Sequence, residues 1–341
     1  MEILWISLIL LVPVVVANFS ERHRRSPYLS RDGHRNDVLD LLLRYAPYAL
    51  LGVINVGFLG VAALALLNQL AKMMMPQQLE PQAVAANWWL VAVVCLLTAA
   101  LALLPLIPAV RRWVARFLPI DPDSVVHTTA LAFGIYELGL SLGQMALIGD
   151  LENLTDLGLS LTTWDVLLSG LPLVLFAVAG VGLFIRRDGR GTWARLGLHR
   201  PTWKQLILAA GLTVLLLGFN SGVDWAWKAL DPEGYALVEQ VTETIFGGLM
   251  TVAGAIVLGL SAGISEEMLF RGAIQPRLGL LLASILFAIG HLQYGLTVAT
   301  LEVFIIGLVL GIVRQRTHTT VCILIHAGYN SAGVLLGLLQ P

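Results

Sequence analysis

Runs of apolar residues long enough to cross a hydrocarbon core constrain this chain more than any other feature, because backbone polar groups in lipid must be satisfied within helices. Such runs, of about 20 residues each, occur near 1-19, 41-70, 88-110, 125-149, 164-185, 203-223, 243-270, 279-296, 297-313 and 319-339. The pattern predicts an all-α, polytopic transmembrane helical bundle of about ten spans. Composition agrees: 57% of the residues are hydrophobic and only 13% charged, outside the range of a water-soluble domain. The net charge of -1 offers no basic surplus for nucleic acid. Cys95 and Cys322 lie inside apolar runs with no CxxC partner, so they read as buried structural thiols.

Of the 21 basic residues, all but Lys72 and Lys228 fall in alternate loops or beside them. Positive charge stays on the cytoplasmic side, which predicts both termini outside. Trp88, Trp89, Trp113, Trp203, Trp225 and Trp227 fall at predicted span ends, as an interfacial aromatic belt requires. Arg22, Arg24 and Arg25 follow the first run instead of preceding it, which reads as a retained anchor; Val15 and Ala17 nevertheless suit a signal peptidase. The polar, Gly-containing stretch 186-204 (RRDGRGTWARLGLHRPTWK) marks a basic cytoplasmic loop. It divides amino-terminal helices, 1-185, from a carboxy-terminal module, 205-341.

Nearly all intramembrane polar groups belong to that second module, and such groups are expensive enough to imply function or pairing. Glu266, Glu267 and Arg271 share one run, His291 lies in the next, and His326 and Asn330 in the last. Glu267 and Arg271 stand at i and i+4 and can pair; Glu266 is rotated about 100° away and is the freer carboxylate. Phe287 with His291, and His326 with Asn330, repeat the four-residue spacing. Taking about 1.5 Å per residue, Glu266 lies roughly 8 Å, His326 roughly 12 Å and His291 about 18 Å from the cytoplasmic boundary. One site in the cytoplasmic half of the membrane accommodates all three.

A Glu in apolar surroundings can activate water as a general base, and a His with an amide can stabilise an oxyanion. The same side chains, Glu266, His291 and His326, also suit a divalent metal such as zinc. The residues alone leave the two open. No HExxH occurs, Ser265 has no partner that would make it a nucleophile, and no organic cofactor is implied. Glu302 reads as a solvated or interfacial cap and Glu137 as a polar contact within the bundle, with substrate passage as its functional alternative. Gly134, Gly139 and Gly143, and Gly307 with Gly311, suit close helix packing.

Glu266-Glu267-x-x-x-Arg271, Phe287-x-x-x-His291 and His326-x-x-x-Asn330, in this order, resemble the motifs of the CPBP family. That family comprises CAAX proteases and bacteriocin-processing enzymes and includes the Ras-converting CAAX endopeptidase. The segment FIIGLVLGIVRQRT before the last run looks like the family too, and the resemblance covers roughly 240-341. It implies an intramembrane endopeptidase, annotated in the family as a metalloprotease but also argued to be metal-free. Glu266 would activate water; Glu267, Arg271, His291, His326 and Asn330 occupy the remaining motif positions. The substrate implied is a membrane-associated protein or peptide, in the plasma membrane for a prokaryote. Two readings from other classes stay open: a noncatalytic bacteriocin-immunity protein or scaffold, and an ion-coupled transporter, for which polar residues above His291 are few.

Overall fold

The computed structural model describes residues 2–26, 37–75, 86–156, 158 and 160–339. Their regular structure is helical, apart from one isolated bridge between Leu183 and Arg187. Nine helices among them are long and apolar enough to cross a membrane, and the chain is a multi-span integral membrane protein. The described residues form two compact units: 1–149 with 178–192, and 150–177 with 193–341. The chain thus passes between units three times, whereas the sequence boundary lay at 186-204 alone.

In the first unit, α1 (Glu2–Arg25) packs on α2 (Asp37–Met74) and on α5 (Val125–Ile148), and α3 (Trp88–Leu103) lies against both α2 and α5. Asn87 and Ser124 cap α3 and α5 by accepting from the backbone of Leu90 and His127. A short α4 (Pro108–Val114) precedes α5. Alanines 62, 65, 92, 99, 102 and 132 make up much of the core, so the helix axes approach closely. Tyr136 stacks on Phe58 and donates its hydroxyl proton to the Leu51 carbonyl, which satisfies it in an apolar setting.

The second unit contains α6 (Leu151–Asp156), most of α7 (Thr163–Val181), the end of α8 (Gly189–Leu196), α9 (Trp203–Leu230) and α10 (Pro232–Phe246). It continues through α11 (Val252–Glu267), α12 (Gln275–Ile289), α13 (Val298–Arg316) and α14 (Thr319–Gly337). Helix α14 packs on α9, α11 and α13, and α12 packs on α13. Leu310, Val313, Val321, Cys322 and Ile325 are the centre of this core.

Two expected spans, 243-270 and 279-296, take a different form. The amphipathic stretch through Phe246 is a separate helix, α10, started by Asp231 and Pro232. Helix α11 begins only at Val252, capped by Thr251, and runs into a π-helical segment, Met268–Ile274, and then α12. Gly279, at φ 79° and ψ 171°, breaks the direction of α12 in a conformation that L side chains avoid. The limb beyond it, 280–289, is only about 15 Å long. Trp227 also departs from the aromatic belt: it is buried, its indole nitrogen donating to Asp231, while Trp89, Trp113, Trp203 and Trp225 are exposed.

Candidate active site

Small residues bring the polar helices together. A Cβ at Gly259 would lie 2.6 Å from the Ala327 carbonyl oxygen, and one at Gly263 would lie 2.9 Å from the Ala327 nitrogen. Helices α11 and α14 therefore touch backbone to backbone, a spacing that only glycine permits here. This contact sets Glu267, at the end of α11, beside His326 on α14, with 2.9 Å between Oε1 and Nδ1.

The π-helical turn that follows is a wider coil of a kind common at functional positions. Within it Arg271, buried like Glu267, places Nε 3.3 Å from Glu267 Oε2. This is an ion pair outside good hydrogen-bond alignment. A second guanidinium nitrogen donates to the Gly307 carbonyl on α13, and the cation sits 4.5 Å from the centre of the Phe287 ring. Neighbouring bonds brace the turn: Arg314 donates to the Arg271 carbonyl, Arg195 to that of Gly272, and Gln275 to that of Gly311.

Phe287 is the hub of the site. Its ring centre lies 4.9 Å from that of His291, 5.9 Å from His326 and 5.3 Å from Phe270. Gly307 admits it, since a Cβ there would approach the ring to 3.2 Å; Gly311 likewise faces Leu280 and Gln275. In the first unit, Gly139 faces Thr98 closely, whereas Gly143 has open space.

His291 ends the limb beyond Gly279. Its Nδ1 lies 2.8 Å from the Phe287 carbonyl, which can only accept, so Nδ1 carries the proton. In the neutral ring Nε2 is then an acceptor. It stands 3.7 Å from Glu266 Oε2, a buried carboxylate oxygen with no hydrogen-bond partner. Two acceptors at this separation do not bond to each other; one donor with two protons, a water molecule, can serve both. Side-chain exposures of 18% for Glu266 and 22% for His291 leave the pair within reach of a substrate.

Asn330 lies one turn beyond His326, partly buried, and makes no hydrogen bond among the described residues. Ser265 donates its hydroxyl proton to the Ser261 carbonyl. Among the described residues no three His, Cys, Asp or Glu side chains group as metal ligands. His291 stands opposite Glu266, whereas His326 commits Nδ1 to Glu267. The donor set Glu266, His291 and His326 therefore does not fit a divalent ion as arranged.

Sequence reasoning passed over a second polar group in this unit. Tyr329 donates to Asn220, which donates to Asp224. Glu302 has a buried, unpartnered Oε1, so it is not the solvated cap expected. Tyr294 lies within electrostatic reach of both Glu302 and Glu266. The four-residue spacing of Asn220 and Asp224 was the available signal. Glu137, by contrast, lies on an exposed side of α5 and makes no hydrogen bond among the described residues.

Residues 248–332 match a family described as Rce1-like, type II CAAX prenyl endopeptidase. That segment contains Glu266, Glu267, Arg271, His291, His326 and Asn330. The chain is also 30% identical over 124 residues, 36% of its length, to the uncharacterized protein YpbD of Bacillus subtilis (strain 168). It spans 61% of that relative. No solved structure matches.

Proposed function

We propose that this chain, Rce1-like over residues 248–332, is an intramembrane endopeptidase that hydrolyses a peptide bond of a membrane-associated protein or peptide. The observation that carries the reading is the pair of facing acceptors, Glu266 Oε2 and His291 Nε2, 3.7 Å apart. A water molecule donating to both is held with its lone pairs free to attack a carbonyl carbon. As the bond forms, Glu266 takes the proton, acting as general base. His291 orients the water, its tautomer fixed by the Phe287 carbonyl.

Attack leaves an oxyanion on the former carbonyl. With Nδ1 donating to Glu267, an imidazolium His326 offers Nε2–H to that oxygen, and the Asn330 amide offers a second donor. Glu267 and Arg271 are positioning residues: the carboxylate holds the His326 ring while the buried guanidinium balances its charge. Collapse of the intermediate expels the amine, which takes the proton back from Glu266. A CAAX prenyl endopeptidase acts on such a membrane-tethered chain, and a substrate of this class fits a site built among membrane spans. By the charge bias, the site faces the cytoplasmic half of the plasma membrane.

Terminal-labelling mass spectrometry of membrane fractions tests this without a guessed substrate. Cells lacking the protein are complemented with wild type or with Glu266→Gln at equal expression. New termini that depend on wild type alone support proteolysis; identical termini, with a phenotype rescued by both, favour a noncatalytic role.

A further inference from the structure

A cavity of about 700 Å³ lies in the first unit, where α1 and α7 end. Arg22 and Arg25 line one side, and Phe184, Arg186, Arg187 and Asp188 the other. Both helices are long and apolar enough to span a membrane, so their common end lies at the level of lipid headgroups. Four arginines face one aspartate, and Arg25 shares Glu21 with Arg24. The lining is cationic on balance.

The turn that carries Arg186 and Arg187 is built tightly. Arg186 Nε donates to Asn18 Oδ1 at 2.6 Å, and the fully buried Asn18 is itself anchored to the carbonyls of Val14 and Ala179. Gly182, at φ 88°, makes the arrangement possible: a Cβ there would lie 2.7 Å from Asn18 Oδ1 and 2.9 Å from Arg186 Nε. Arg187 donates to the Val181 carbonyl. These bonds fix guanidinium groups at the cavity wall before any ligand arrives. Phe184 adds an independent signal. It adopts φ 58°, a region costly for a bulky side chain, and is 81% exposed. The turn therefore holds an aromatic ring outward beside the arginines, the pairing of cationic and aromatic groups that suits a membrane interface.

We propose that this cavity binds the phosphate of an anionic membrane phospholipid, the arginines taking the phosphate oxygens while Phe184 seats among the acyl chains. The site is separate from Glu266 and its partners in sequence and chemistry, and the proposal does not rest on the protease reading. The same guanidinium chemistry would accept free phosphate; the exposed phenylalanine and the position at two span ends favour the lipid.

The full chain in zwitterionic nanodiscs is titrated with phosphatidylglycerol, phosphatidylcholine or inorganic phosphate, with retained lipid counted by native mass spectrometry and unfolding followed thermally. Phosphatidylglycerol should be retained in preference to phosphatidylcholine. Arg22→Gln with Arg25→Gln should weaken that retention about thirtyfold, from roughly fivefold for each arginine. Phe184→Gly relieves the left-handed conformation, so it should keep or raise the unfolding temperature while lowering phosphatidylglycerol retention; a purely structural residue would not separate the two. Inorganic phosphate raising the wild-type unfolding temperature, without any lipid preference, would overturn the lipid assignment. Equal retention of both lipids by wild type and the double variant, with no response to phosphate, would overturn the site altogether.

Discussion

Replacing Arg271 with methionine isolates the charge held inside the candidate site. Glu267 and Arg271 are both buried, so the variant leaves a carboxylate without its guanidinium, at a cost of about 3–5 kcal/mol. The lost donor to Gly307 adds about 1 kcal/mol, and the lost stacking on Phe287 about 1 kcal/mol more. Adding Glu267→Gln removes the stranded charge while its amide oxygen still accepts from His326 Nδ1. The double variant should therefore lose only the smaller contributions, about 2 kcal/mol together. At roughly 2–4 °C per kcal/mol, the single variant unfolds some 10–25 °C below wild type and the double variant about 4–8 °C below it. Thermal unfolding of purified protein in detergent reads both. Equal losses in the two variants would refute the premise that the uncompensated carboxylate dominates.

Gly259→Ala should lower both unfolding temperature and turnover, by about 1–3 kcal/mol in stability, because the new Cβ meets the Ala327 carbonyl at 2.6 Å and forces α11 from α14. Gly211→Ala meets nothing within 4 Å and should stabilise by up to about 1 kcal/mol in the same unfolding assay. Burial, with His199 and Arg314 adding to it, pushes the His318 pKa below its ordinary 6.5, so the folded state prefers the neutral ring. Its stabilising contribution is complete above pH 6.5 and is lost as pH falls through the folded value; His318→Asn should flatten that acid limb in unfolding scans across pH. Ser265→Ala removes only a bond to the Ser261 carbonyl, worth about 1 kcal/mol, so peptide hydrolysis assays should find turnover retained.

The membrane-spanning character and the polar motif were legible because each depends on local composition: lipid requires long apolar helices, and four-residue spacing places His326 and Asn330 on one face. Chain direction was less legible. Hydropathy is blind to a left-handed glycine, so the break at Gly279 looked like an ordinary span boundary, and the polar face of α10 was averaged into the run at 243-270. The bond from Arg271 to Gly307 joins residues 36 apart, which no periodicity on one helix reports. Trp227 had an interfacial position by sequence, yet it is buried; its turn-mate Asp231 offers the indole nitrogen an acceptor. Glu302 misled for the opposite reason: nearness to a helix start suggested solvent, while the fold covers its Oε1.

The most direct test of the central claim is the hydrolysis of a prenylated CAAX peptide by purified wild type and Glu266→Gln, compared at matched unfolding temperature. Glutamine keeps the shape of the side chain but cannot take the proton, so the account predicts that kcat falls about 100-fold or more with the fold intact. Turnover by the folded variant within a few-fold of wild type would contradict the assignment of Glu266 as the base.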